Sequence, residues 1–225
     1  MEKDLVTVLE ELNKKISKAY SGKKKDKFEK QINGLISIYK DFEIPEERAE
    51  IYESLKNKGR ELMKESNIKQ DKKVSYYLRY CGAAIYDFKE NLQPLNTIMK
   101  SFLLTCAIFF VLSPQYFGFL MPLIFAVPVF LGLRGIRKRV LNGLIIGVAV
   151  VPMAILVAMV WIRNATLTLS QGTFDSFIGE LAKSYSFSFE FSKNLAIACI
   201  MLSIVMLISS IVLLYNAYKH RKMFI

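Results

Sequence analysis

Three uncharged, apolar runs constrain this chain more than any other feature: Ser101 to Leu133 (33 residues), Val140 to Ile162 (23 residues) and Asn194 to Tyr218 (25 residues). A helix needs about 20 apolar residues to cross a bilayer. Lipid offers no hydrogen bonds, so each crossing must satisfy its own backbone. The second and third runs each supply one crossing. The first is too long for one helix and short for two.

Charge placement resolves the first run. Residues 1 to 96 hold 20 Lys or Arg and 17 Asp or Glu, whereas residues 97 to 225 hold 11 and 3. Arg134, Arg137, Lys138 and Arg139 form one dense basic loop, and Lys219, Arg221 and Lys222 form a second cluster at the end. Basic loops stay on the cytoplasmic side. The segment from Met1 has early acids and no continuous apolar stretch, so no secretory signal peptide is expected and the polar region is placed inside as well. The first run must then go out and come back, turning at SPQYFGF.

The expected architecture is an all-α multi-pass membrane protein. A cytoplasmic helical domain (1–94) precedes a four-helix transmembrane bundle (95–218). The crossings fall at about 96–112, 116–133, 140–162 and 194–216, with an outside loop at 163–193 and a basic cytoplasmic tail at 219–225. Both termini are cytoplasmic. A re-entrant hairpin over 101–133 would give the same sidedness.

Within the polar region, Leu5, Leu9, Leu12 and Ile16 recur at helical spacing, as do Phe28, Ile32, Leu35 and Tyr39. Pro45, Glu46 and Glu47 suit the start of a third helix with Ile51, Leu55 and Leu62 on its apolar face. Val74, Tyr77, Leu78, Cys81, Ile85 and Phe88 mark a fourth. Four such helices can bury their stripes on one another as a small bundle, or dock them on a partner. KKKDK at 23–27 reads as a solvated turn, with a lipid headgroup contact as the alternative. A net charge of +3 over these 96 residues, with no binding motif, gives no reason to expect nucleic acid.

In the membrane region, Pro114 belongs to the outer turn, and Pro122, Pro128 and Pro152 are expected to break helices by removing backbone donors. These prolines either improve packing or open a bend around a permeation path. Gly143 and Gly147 make a GxxxG spacing, with Gly132 and Gly135 nearby. The spacing lets another helix approach closely, within the bundle or in self-association.

The outside loop changes period. Phe174, Phe177, Ile178 and Leu181 recur as on an amphipathic helix. Tyr185, Phe187, Phe189 and Phe191 then alternate with polar residues as on an extended segment, for which LTLS at 167–170 is the candidate pairing partner. Phe174, Phe177, Tyr185, Phe187, Phe189 and Phe191 therefore form an outside face for the interface or for a ligand.

Catalytic patterns do not emerge. The three runs contain no acid, base or histidine, and the single histidine, His220, stands in the basic tail. Cys81, Cys106 and Cys199 lack pairing or metal spacing and are expected as free thiols. No phosphate loop precedes a helix. The sequence expectation is a non-enzymatic membrane adaptor or regulator without cofactor or metal. It would act through its cytoplasmic helices on a protein partner or by self-association, and rest in the lipid bilayer. A small transporter, channel or permeation accessory subunit is the alternative, and a membrane enzyme stands third.

Overall fold

The structure is a computed structural model and describes residues 2–41, 44–64, 71–118 and 120–225. The regular elements among them are all helical. They form two compact units: Met1–Gln93 together with Lys222–Ile225, and Pro94–Arg221.

Unit 1 contains α1 (Glu2–Ala19), α2 (Lys23–Lys40), α3 (Ala49–Lys64) and α4 (Asp71–Phe88). The heptad-like stripes of the sequence are its core. Leu5, Leu9, Leu12 and Ile16 of α1 meet Phe28, Ile32 and Tyr39 of α2, Tyr52, Leu55 and Leu62 of α3, and Val74, Tyr77, Cys81 and Phe88 of α4. Each large apolar side chain removed from water contributes about 1.5–3 kcal/mol, so this shared core favours one closed bundle over four separate helices. Two buried hydroxyls tie the helices together: the Leu5 N–H donates to Tyr52 Oη at 3.1 Å, and Tyr39 Oη donates to the Cys81 carbonyl at 2.8 Å. Burial pushes the Cys81 thiol up to about 12, so it stays protonated at neutral pH.

Local expectations in this unit need two corrections. KKKDK is not a turn: Gly22, at φ +61°, caps the start of α2, and Lys23 is that helix's first residue. Lysine is a good helix former, and Lys24 is anchored to Asp71 Oδ2 at 2.6 Å. Pro45 does not occupy the first helical position. It precedes a short 3-10 turn, Glu46–Arg48, that leads into α3.

Unit 2 contains α5 (Gln93–Leu112), the short α6 (Pro114–Phe117), α7 (Leu120–Arg137), α8 (Leu141–Val148), α9 (Val151–Ser170), α10 (Phe174–Tyr185) and α11 (Phe189–Lys219). Three largely helical stretches among the described residues are long and apolar enough to cross a membrane: Gln93–Tyr116, Leu141–Ser170 and Phe189–Lys219. The chain is thus a helical protein with several membrane-spanning segments. Helix α7 has 18 residues and carries Arg134 and Arg137 in its last turn.

The segment 163–193, expected as an outside loop, is mostly helix. Helix α9 runs on to Ser170 and α11 begins at Phe189, so only short turns flank α10. No strand forms at 184–192. Ser186 adopts a left-handed conformation that ends α10, and the Ser188 hydroxyl accepts the Phe191 N–H at 3.3 Å to start α11. The alternation of aromatic and polar residues spans a helix-turn-helix boundary, where period 2 carries no meaning. LTLS is the last turn of α9 and pairs with nothing extended.

Candidate functional site

The features that bear on function lie in unit 2. Helices α7 and α8 form a hairpin whose closeness depends on glycine. A Cβ added to Gly132 would stand 2.6 Å from Gly147 Cα, and one added to Gly135 or Gly143 would collide with the other's backbone. Gly143 and Gly147 thus face Gly132 and Gly135 of the preceding helix. Such small-residue contacts let helix backbones approach in lipid, where apolar side chains gain nothing by leaving the solvent.

The four basic residues before α8 do not form one loop. Arg134 and Arg137 close the last turn of α7. Arg139 sits at φ +55° and, with Lys138, makes the turn into α8. Cations suit that position, because the last turn of a helix exposes unpaired carbonyls. Lys219 ends α11 and is exposed, as are Arg221 and Lys222. The tail is not wholly solvated: Met223 and Phe224, which belong to unit 1, are completely buried.

The prolines divide by position. Pro114 and Pro152 sit at the starts of α6 and α9, where the missing N–H has no helical acceptor to lose. Pro152 follows a two-residue break between α8 and α9, at Ala149 and Val150. Pro128 lies inside α7. Pro122 is the third residue of α7, and its side chain lies outside the described residues.

Two clefts open in this unit. The first lies beneath α10, has a volume of about 210 Å³ and is lined by Tyr116, Trp161, Asn164, Phe174, Phe177 and Tyr185, among others. Tyr116 and Trp161 meet edge to face at 6.1 Å, and the Tyr116 hydroxyl bonds to the Asn164 and Gln115 side chains. The buried Trp161 indole N–H has no acceptor. Of the six aromatic residues expected on the outer face, Phe174, Phe177 and Tyr185 line this cleft. Phe187 and Phe191 pack on each other at 5.0 Å, and Phe189 is exposed beside them. Trp161 had no sequence signal, since one aromatic in an apolar run reads as core.

The second cleft, of about 430 Å³, runs between α5 and α11 and is lined by Thr97, Lys100, Ser101, Leu104, Val205, Ile208, Ser209 and Val212. Its deeper hydroxyls are already engaged. Ser101 Oγ donates to the Thr97 carbonyl at 2.7 Å, and Ser209 Oγ lies 2.8 Å from Thr105 Oγ1, joining the two helices.

Among the described residues no group of three or more His, Cys, Asp or Glu is placed to hold a metal ion. The three cysteines are free thiols. No family model matches the chain, and neither a curated protein nor a solved structure matches it.

Proposed function

We propose that this is a non-enzymatic, membrane-anchored adaptor. Unit 1 recognises a protein partner on the cytoplasmic side, and unit 2 holds it in the bilayer. The supporting observation is how unit 2 spends its polar groups. The Ser101, Ser203 and Ser209 hydroxyls bond back to carbonyls of their own helices, while the buried Ser192 and Ser210 hydroxyls have no partner among the described residues. Neither described cleft is lined by Pro128 or Pro152. A permeation path needs hydration or exposed carbonyls along its length, and these features favour an anchor over a conduit.

Four crossings and a cytoplasmic position for both termini belong to the same reading. Gln93 and Lys222 fall in one unit, and on this reading the chain between them leaves and returns to one side. An even number of passages satisfies this. The three long spans are an odd number, and on this reading α7, with its exposed Leu123, Ile124, Val127 and Phe130, is the fourth.

Among the described residues of unit 1 the exposed large apolar side chains are few: Ile38, Tyr76 and Leu92. Tyr76 is an aromatic of the kind that carries much of the affinity at protein interfaces. Photo-crosslinkers placed at residues 38 and 76 of the full chain in cells should capture one dominant protein, and Tyr76→Asp should abolish the capture made from residue 38. Capture at background level from both sites would contradict the adaptor reading. So would solute or ion flux through the purified full chain in liposomes above that of empty vesicles.

A further inference from the structure

We propose that the cleft between α5 and α11 is a binding site for one anionic phospholipid, with its phosphate held by Lys100. This rests on the membrane placement of unit 2 and is independent of the adaptor reading.

Lys100 is the only charged residue between Glu90 and Arg134, a stretch otherwise built for lipid. It lies in the second turn of α5 and is exposed. No carboxylate pairs with it among the described residues. A helical side chain leans toward its helix N-terminus, so the ammonium is carried toward Pro94 and the polar end of the cleft.

The rest of the cleft is shaped for an acyl chain. Leu104, Val205, Ile208 and Val212 form apolar walls, and each remains exposed. Ser101 and Ser209 have turned their hydroxyls to protein acceptors, so they present little polarity to a chain passing over them. At about 430 Å³ the cleft has the volume of an ordinary ligand site, typically about 300–1,000 Å³. A cation at one end of an apolar trough complements a phosphate esterified to hydrocarbon. A soluble phosphate would leave the trough empty, and a zwitterionic lipid would gain less from an isolated cation.

The test is native mass spectrometry of the delipidated full-length protein in detergent, titrated separately with phosphatidylglycerol and phosphatidylcholine of identical chains. One phosphatidylglycerol should bind about fivefold more tightly than phosphatidylcholine, the weight of a single lysine at an anionic surface. Lys100→Gln should erase that preference, and Lys219→Gln should leave it in place. Leu104→Trp, which fills the trough, should weaken both lipids together. Equal binding of the two lipids by the native chain would overturn the assignment. So would a preference that survives Lys100→Gln, or one that Lys219→Gln removes instead.

Discussion

The two units are built from the same kind of element and differ in what they leave exposed. Unit 1 hides its large side chains: Leu5, Leu9, Leu12, Tyr39 and Tyr52 are buried. Unit 2 leaves many of them exposed, including Leu120, Leu123, Phe130, Met201, Ile208 and Ile211, and its interior mixes large residues such as Phe102, Phe109 and Leu213 with small ones: Gly132, Gly143, Ala154, Ala158, Ser203 and Ser210. In water the apolar side chains drive assembly, because burial is favourable in proportion to area. In lipid that drive is absent, and helices associate through close backbone approach and a few hydroxyl bonds. The solvent of each unit is therefore readable from which residues it leaves exposed.

The comparison can be broken most directly by one carboxylate placed in three settings. Leu9→Asp buries an unpaired charge in the unit 1 core and should cost about 4 kcal/mol or more, read as loss of cooperative melting. Ile211→Asp changes a side chain that is 56% exposed in α11. If that face is in lipid, the cost is about 2.5–3.5 kcal/mol, read as failed membrane insertion. Tyr76→Asp alters a side chain of similar exposure, 48%, on unit 1. It should change stability by no more than about 0.5 kcal/mol. Equal tolerance at 211 and 76 would erase the distinction between the units.

Packing sharpens the comparison next. Gly135→Val forces a branched side chain against Gly143 and should cost about 1–3 kcal/mol, seen as a lower melting temperature in detergent. Smaller again is Tyr39→Phe, which deletes the hydroxyl bonded to the Cys81 carbonyl. A loss of about 0.5–1.5 kcal/mol is expected, measured by denaturant unfolding and by faster alkylation of Cys81 as unit 1 opens.

The smallest effect is at the surface. The hydrogen bond from Lys24, with a second from Tyr20, holds the Asp71 carboxyl below its usual range. A depressed carboxyl contributes stability above its unfolded pKa and loses it as pH falls through the folded value. Lys24→Gln should raise the Asp71 pKa toward the ordinary value and flatten that part of the acid unfolding curve. Carboxyl titration by NMR checks the shift.

Much of unit 1 was legible because its solvent imposes a pattern. The stripe through Leu5, Leu9, Leu12 and Ile16 can only face inward, and α1 follows from it. The spans of unit 2 were legible as bulk hydrophobicity, but not their internal pairing. Lipid accepts apolar residues all round a helix, so no stripe marks the buried side. Gly143 and Gly147 announced a close contact without saying that Gly135 and Gly132 receive it. The run from Tyr185 to Phe191 misled for a local reason: Ser188 is a helix cap, and a cap is decided by its hydrogen bond rather than by periodicity. Met223 and Phe224 were hidden by the basic residues before them. Lys100 stood in plain view, but its role needed the neighbouring helix that completes the cleft.

The central proposal is that unit 2 crosses the bilayer an even number of times, with α10 outside and the α7–α8 turn inside. Cysteine labelling tests it most directly. Lys138→Cys and Ser176→Cys, made singly in a chain with the native cysteines replaced, would be exposed to a membrane-impermeant maleimide in intact cells. The account predicts that position 176 labels at once and position 138 only after the membrane is opened. Labelling of both positions from the same side would contradict it.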